Sequence, residues 1–159
     1  MLLAVVTISD RCSRGEMIDT AGPAVVGVLR EHWPEAEIAT ALLSDDEDAI
    51  AAELLSLCGA GAALVLTAGG TGLGPRDCTP EATRRVIDRE APGLAEAMRA
   101  EGAASNKFAW LSRAVAGLKG STLIVNLPGS KRGAEESLSA IVALLRHGID
   151  VAAGGQRHP

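Results

Sequence analysis

The stretch AALVLTAGGTGLGPRD, residues Ala62–Asp77, carries the clearest indication of the architecture. Its apolar first part, Ala62–Thr67, predicts a strand that is buried on both faces, as the strands of a parallel sheet are. The strand passes into a glycine-rich loop. Thr79-Pro80 then predicts the start of a helix, because Thr is a good N-cap residue and Pro is tolerated in the first helical turn.

The rest of the chain repeats this alternation of strand and helix. Further apolar runs predict strands at Leu2–Ile8, Glu37–Leu43 and Thr122–Leu127. Apolar residues at helical spacing predict the helices, which cover residues 20–32, 44–58, a segment from 79, 92–102 and a long final segment containing 138–149. Residues 104–121 are predicted to be irregular or to form a short edge hairpin. The alternation predicts an α/β domain whose mostly parallel sheet has helices on both faces.

Length and composition limit the function. The 159 residues suit a single domain spanning 1–159, whose tail from about residue 154 we expect to fray. Aromatic residues make up only 2%, and 15 Lys and Arg against 20 Asp and Glu give a net charge of −5. This composition argues against a nucleic-acid partner and an anionic membrane partner, and it favours a small-molecule ligand. An anionic substrate would need a local site built from basic side chains or backbone amides.

Cysteine usage and the N-terminus predict the compartment. The three cysteines are widely spaced and form no CxxC or Cys/His cluster, so neither a disulfide framework nor a zinc site is expected. The N-terminal segment lacks the basic region of a signal peptide, and no run approaches the ~20 apolar residues of a membrane span. The sequence therefore predicts a cytoplasmic protein.

Polar loops follow the predicted strands and indicate where ligands bind. In open α/β sheets, ligands bind outside the carboxyl ends of the strands. The loops that leave those ends are rich in Gly, Ser, Thr, Asp and Asn, and they cover residues 9–22, 44–48, 68–77 and 126–133. We therefore expect one composite site at this edge of the sheet.

The glycine-rich loop is the strongest element of the expected site. Backbone N–H groups of Gly69–Gly72 could face a phosphate, although such glycines also occur in tight turns that need positive φ. The loop matches neither a Walker A motif nor GxGxxG. Asp46 and Asp77 lie at neighbouring strand ends and could together hold a hydrated Mg²⁺ against substrate phosphates. A helix-capping role for Asp46 is the alternative.

Basic and amide side chains supply further candidates. Cations occur in the segments around Arg113, Lys119 and Lys131-Arg132. The last pair opens a predicted helix, an unfavourable end for a cation, so it suggests either an anionic ligand or a solvated loop. Asn126, at the end of a predicted strand, is placed either to hydrogen-bond a ligand or to form a turn.

With these residues in hand, the chain resembles the MogA/MoaB family of molybdenum-cofactor proteins. The matching motifs run almost from end to end: VTISD at 6–10 with Ser13, Gly15, Asp19 and Gly22, LSDD at 43–46, LTAGGTG at 66–72 with Arg76-Asp77, TPEAT at 79–83, LSR at 111–113 and GSTLIVNLPG at 120–129. Ser130-Lys131 departs from the Asn-Pro that many relatives carry after Pro-Gly.

The resemblance implies a three-layer α/β/α sandwich with a mixed central sheet, assembled as a homotrimer. It also implies a reaction in which molybdopterin and ATP give adenylylated molybdopterin and pyrophosphate with Mg²⁺, for use by a separate metal-insertion protein. It implies catalytic and metal-handling roles for Asp46 and Asp77. It implies that the substrate site is lined by Ser9, Asp19, Gly70, Thr71, Gly72, Ser112 and Asn126, to which we add the loop residue Gly69 and the adjacent residues Arg113 and Ser130.

Two other functions stay open at this point. The same fold also serves as a non-catalytic molybdopterin-binding or scaffold module, and Asp46 with Asp77 argues for the transferase instead. A nucleotide hydrolase of the competence-damage type is less well supported, since such proteins typically carry an extra domain.

Overall fold

The computed structural model describes residues 1–155, which form one mixed sheet flanked by helices. The strands are β1 (Leu2–Ile8), β2 (Glu37–Leu43), β3 (Leu64–Ala68), β4 (Arg89–Glu90), β5 (Ala116–Lys119) and β6 (Thr122–Leu127). The helices are α1 (Asp10–Ser13), α2 (Ala21–His32), α3 (Glu47–Gly59), α4 (Thr79–Val86), α5 (Pro92–Ser105) and α6 (Lys131–Ala152), with a 3₁₀ helix at Lys107–Leu111.

The sheet has the strand order β2-β1-β3-β6-β5-β4. Strands β2, β1, β3 and β6 are parallel, whereas β5 pairs antiparallel with both β6 and β4. The chain moves from β1 outward to β2 and then returns to the other side of β1 as β3. The order therefore reverses between β1 and β3, and a crevice opens at such a point beyond the carboxyl ends of the strands.

Alternating residues of the buried strands divide the core into two layers. Leu3 and Val5 of β1 pack with α2, α5 and α6 on one face of the sheet. Ala4 and Val6 of the same strand pack with α3 and α4 on the other face. Because successive strand side chains point to opposite faces, one continuous apolar strand can serve both layers. The predicted three-layer α/β/α fold with a mixed sheet is confirmed.

The structure contains elements that the sequence analysis did not predict, and one of them is the short helix α1 within the first polar loop. The segment predicted to be irregular or a hairpin contains the 3₁₀ helix and then β5, which forms a hairpin with β6 around Gly120. The sequence does not predict strand β4, because two residues are too short for a periodic pattern. At the C-terminus, Gly154 and Gly155 donate backbone hydrogen bonds to Val151 and Asp150. The rest of the tail that is predicted to fray, residues 156–159, lies outside the described residues.

Among residues 1–155, none of the helices combines the length and the apolar character that a membrane crossing requires.

Candidate active site

Two adjoining clefts lie at the carboxyl ends of β1 and β3. The aromatic cleft, of about 410 Å³, is lined by Gly70, Thr71, Gly72, Asp77, Gly102, Asn106, Phe108, Ala109, Leu111, Ser112, Pro128, Gly129, Ser130, Gly133, Glu136 and Ser137. The acidic cleft, of about 560 Å³, is lined by Thr7, Ile8, Ser9, Asp10, Arg11, Cys12, Met17, Asp19, Thr20, Ala21, Asp45, Ala68, Gly69, Gly70, Asp77, Gly129, Ser130 and Lys131. Gly70, Asp77, Gly129 and Ser130 line both, so the clefts meet at these residues.

The glycine-rich loop forms the wall between β3 and α4, and its first residues are locked in place. Gly69 has φ +115° and Gly70 has φ +63°. A Cβ on Gly69 would lie 2.1 Å from the Ile8 carbonyl oxygen, so only glycine fits there. Thr79 ties the loop to α4, because its hydroxyl donates to Gly69 O at 2.9 Å and its N–H donates to Gly70 O at 3.1 Å.

The loop amides differ in what they can offer a ligand. The Gly69 N–H donates to Leu127 O at 3.1 Å and is therefore used by the protein itself. Within residues 1–155, the N–H groups of Gly70, Thr71 and Gly72 have no protein acceptor. Backbone amides left free beside a cleft are suited to bind phosphate. Gly69 thus provides the turn, and the next three residues provide the free donors.

Asp45 and Asp77 are the carboxylates that line the acidic cleft next to the loop. Asp77 Oδ2 accepts the Gly74 N–H at 2.8 Å. Partial burial raises the pKa of Asp45, and the negative charges of Asp10 and Asp77 raise it further, against a hydrogen bond from the Asp10 N–H that lowers it. The position is thus electrostatically unfavourable for a carboxylate in the absence of a cation.

Asp46, predicted to be the partner of Asp77, has a different place. Its side chain is the N-cap of α3, where it accepts the Ala49 N–H at 2.8 Å, and the residue is exposed. Asp46 lines neither cleft, whereas the preceding residue, Asp45, lines the acidic cleft together with Asp77. A helix uses the side chain of its N-cap residue, which leaves the preceding residue free to face the sheet edge.

Ser9 and Asp19 of the first loop line the acidic cleft. Ser9 Oγ accepts the Cys12 N–H at 3.2 Å and caps α1. Asp19 accepts hydrogen bonds from the Thr7 hydroxyl at 2.7 Å and from the Gly22 N–H at 2.9 Å. Both carboxylate oxygens of Asp19 thus organise the loop, although the residue also lines the cleft.

The predicted residues Thr71, Ser112 and Ser130 line the aromatic cleft. Ser130 Oγ caps α6 by accepting the Gly133 N–H at 3.2 Å. Phe108, on the 3₁₀ helix, also lines this cleft and is 64% exposed. The sequence does not identify Phe108 as a site residue, because a single aromatic residue in a segment without a predicted helix or strand forms no periodic pattern. An exposed ring beside a cleft provides a stacking surface for a planar ligand.

Of the predicted cations, Lys131 lines the acidic cleft. Arg132 instead pairs with Glu136 one turn further along α6, and Lys119 pairs with Asp88 at 2.9 Å. Arg11 is a second cation at the acidic cleft. The acidic cleft is therefore lined by positively charged side chains as well as by carboxylates.

Asn126 and Arg113 line neither cleft. Asn126 is fully buried; its Nδ2 donates to the hydroxyls of Thr67 and Thr83, and its Oδ1 accepts the Val115 N–H at 3.1 Å. The side-chain hydrogen bonds of Asn126 are therefore made inside the core, and its contact with a ligand stays a prediction. The guanidinium of Arg113 is likewise used by protein groups.

The donor set suits Mg²⁺ bound together with a substrate. Magnesium takes one or two carboxylates and completes its shell with phosphate oxygens and water. Asp45 and Asp77 would supply the carboxylates, and a divalent cation would relieve the repulsion between them. No group of three or more metal-binding His, Cys, Asp or Glu side chains occurs in residues 1–155.

Comparisons with known proteins agree with this fold. A family model described as "Probable molybdopterin binding domain" matches residues 4–147. The molybdopterin adenylyltransferase of Helicobacter pylori strain J99 is 36% identical over 154 residues, which cover 96% of this chain and 88% of the relative. The chain spans only 24% of the Drosophila melanogaster protein cinnamon and 47% of a molybdenum cofactor biosynthesis bifunctional protein from Synechococcus elongatus.

Two solved structures superpose on nearly the whole chain. The molybdopterin biosynthesis enzyme MoaB of Thermus thermophilus is 47% identical, with a TM-score of 0.89 and coverage of 96% of each chain. A structure of MogA is 34% identical, with a TM-score of 0.91, and covers 96% of this chain and 99% of its own. The chain therefore belongs to the molybdopterin-binding-domain family that includes MogA and MoaB.

Proposed function

We propose that this chain is a molybdopterin adenylyltransferase of molybdenum cofactor biosynthesis. It transfers AMP from ATP to the terminal phosphate of molybdopterin and releases pyrophosphate, with Mg²⁺ as cofactor. The observation that carries the proposal is the meeting of two clefts at Asp77, beside free loop amides. The name of the Helicobacter pylori relative, which aligns with 96% of the chain, supports the same reaction.

The paired clefts suit a reaction between two substrates. One cleft offers Phe108 and small apolar surfaces to a planar ring, and the other offers Lys131 and polar loop groups. With one ligand in each cleft, the phosphates of both come to the shared residues. Holding two reactants in line contributes a large part of the rate of such a transfer.

The residues present supply alignment and charge rather than a strong base. The attacking group is a phosphate oxygen, already a nucleophile, so the chain has no proton to remove from it. The N–H groups of Gly70–Gly72 and the Lys131 ammonium bind phosphate oxygens and stabilise the charge that develops at the α-phosphorus. Asp45 and Asp77 would hold Mg²⁺, which when bound neutralises triphosphate charge and polarises the phosphoryl oxygens.

We also infer a wider context for the reaction. The protein works in the cytoplasm as a homotrimer, and its product passes to a protein that inserts the metal. Longer relatives support a functional link to further domains, since this chain spans a quarter to a half of their length. Light scattering after size exclusion tests the trimer, which a monomer mass would contradict.

Direct detection of the product tests the reaction. Purified chain is incubated with molybdopterin, ATP and Mg²⁺, and the AMP adduct and pyrophosphate are measured by chromatography. Asp77→Asn is run in parallel, and it should lose turnover far more than molybdopterin binding. A loss of ~10³ in rate corresponds to about 4 kcal/mol of transition-state stabilisation. Tight molybdopterin binding by the unaltered chain without any adduct would support the non-catalytic binding module instead.

A further inference from the structure

The Arg113 side chain directs all of its hydrogen bonds at the glycine-rich loop and the helix after it. Nε donates to the Gly72 carbonyl at 2.7 Å, and Nη2 donates to the Asp77 carbonyl at 2.7 Å. Nη1 forms an ion pair with Glu81. The Arg113 backbone N–H also donates to Thr71 O at 2.9 Å. One residue therefore contacts the loop at three points.

These contacts fix the part of the loop that carries Asp77. Gly72 and Asp77 bracket a segment with an exposed Leu73, and within it the Gly74 N–H binds the Asp77 carboxylate. A guanidinium can reach both carbonyls at once, because its donors lie in a rigid planar fork. An ammonium at the same place is a point charge without that geometry.

The segment that carries Arg113 is itself held from the opposite side. Arg99 of α5 donates from Nη1 to Ser112 O at 3.3 Å and to Ala114 O at 3.2 Å. Arg99 thus anchors the backbone on both sides of Arg113. These hydrogen bonds link α5 to the Ser112 segment, and that segment to the glycine-rich loop as far as Asp77.

Glu81 completes the arrangement at some energetic cost. Its Oε1 faces Arg113, whereas its Oε2 is buried without a hydrogen-bond partner among the described residues. A buried carboxylate oxygen without a partner is unfavourable. Burial works to raise the pKa of Glu81, but the hydrogen bond and charge of Arg113 leave it below its ordinary value. The pair is consistent with Glu81 orienting the guanidinium toward the loop.

We propose that Arg113 is a positioning residue of the transferase, which sets the geometry of Gly72 and Asp77 from behind the loop, and that Glu81 orients it. This rests on the proposed adenylyltransferase and differs from the substrate-binding role that the sequence suggested. The two roles predict opposite effects of removing the Glu81 charge. If Arg113 bound substrate phosphate, Glu81→Gln would strengthen that binding. As a positioning pair, Glu81→Gln lowers kcat.

The first test compares steady-state kinetics of Arg113→Lys, Arg113→Ala and Glu81→Gln. A misplacement of about 1 Å at a reacting group costs ~10²-fold in rate. We expect both Arg113 variants to lose kcat by about that factor with KM for ATP within about threefold, and Glu81→Gln to lose about tenfold. Arg85→Lys is the matched control, since Arg85 pairs with Glu47 and Asp48 on the surface and should keep full activity.

The second test needs no substrate. Amide hydrogen exchange of residues 72–77 should be faster in Arg113→Lys than in the unaltered chain, while exchange in β1 and β3 stays the same. Unchanged loop exchange overturns the positioning role. So does an Arg113→Lys variant that keeps kcat and raises KM for ATP, or a Glu81→Gln variant with a lower KM. Absence of adduct from the unaltered chain would refute only the adenylyltransferase.

Discussion

Asp10 and Asp45 hold each other through reciprocal hydrogen bonds. The Asp10 N–H donates to Asp45 Oδ2 at 2.9 Å, and the Asp45 N–H donates to Asp10 Oδ1 at 3.0 Å. Arg76 from the glycine-rich loop then binds the Asp10 carboxylate through Nε at 3.0 Å and Nη2 at 3.1 Å. Three loops from different strand ends are thereby joined, and Asp45 is fixed beside Asp77.

The choice between Asp45 and Asp46 as the partner of Asp77 can be tested with two adjacent substitutions. Asp45→Asn should lower kcat by ~10²–10³, the range expected when one electrostatic contact to a transferring group is lost. Asp46→Asn should change kcat less than about threefold, because Asn is as good an N-cap residue as Asp. Adduct formation and thermal unfolding are measured for both. A large loss of kcat in Asp46→Asn alone would support Asp46, and not Asp45, as the partner of Asp77.

Gly70→Ala tests whether the loop needs glycine for its backbone or for the space around it. Gly15 has a similar φ, +72° against +63°, but a Cβ there meets open space. A Cβ on Gly70 would lie 2.3 Å from the Thr79 hydroxyl and 3.0 Å from Asp45 Oδ1. The left-handed backbone alone costs about 1–2 kcal/mol with a Cβ, and the crowding adds about 1–3 kcal/mol.

Urea unfolding of the two variants provides the measurement. Gly15→Ala should lose only the backbone contribution, and Gly70→Ala should lose both contributions and most of its activity. Equal destabilisation would show that the neighbours of Gly70 move aside at no cost.

Asn126 is predicted to stabilise the fold without contacting substrate. Asn126→Ala removes three buried hydrogen bonds between β6, β3, α4 and the Val115 backbone. A buried polar group left without a partner costs up to about 3 kcal/mol. We therefore expect the free energy of unfolding to fall by about 2–4 kcal/mol in total. Asn106→Ala is the control: it removes one exposed cap hydrogen bond and should lower the free energy of unfolding by about 1 kcal/mol. An Asn126→Ala variant with unchanged stability and a raised KM would return this residue to the substrate site.

We expect the Glu81 carboxylate to contribute to the loss of folding stability at acid pH. Arg113 holds the pKa of Glu81 below its ordinary value. The folded state therefore binds fewer protons than the unfolded state, and stability from this group is present above pH ~4.3. It is lost as the pH falls through the lowered folded pKa. Because the side chain is 40% exposed, the effect is small.

Calorimetry between about pH 3 and pH 6, a range that spans the ordinary carboxyl pKa, checks this prediction. Glu81→Gln should show a shallower loss of unfolding temperature with acid than the unaltered chain does. Parallel profiles for the two proteins would mean that the ion pair adds nothing to stability.

Local sequence features set the order and type of most elements. The apolar run of Leu2–Ile8 is a strand in the structure, because burial on both faces acts along the whole run. A helix begins at Thr79 as predicted, but Thr79 is not its cap: the N-cap residue is Cys78, which makes no side-chain cap hydrogen bond, and the local signal is the proline in the first turn. The same local rules placed the polar loops at one edge of the sheet. They could not find β4, which exists only because Arg89 and Glu90 pair with β5.

Tertiary packing assigned the side chains of those loops their separate roles. Adjacent residues such as Asp45 and Asp46 look equivalent along the chain, and only the direction in which each points separates a cleft carboxylate from a helix cap. Arg113 is far from Gly72 and Asp77 in sequence, so no local pattern could show that its donors bind their carbonyls. Local propensity is set by near neighbours, whereas a side chain's partners are set by packing between distant segments.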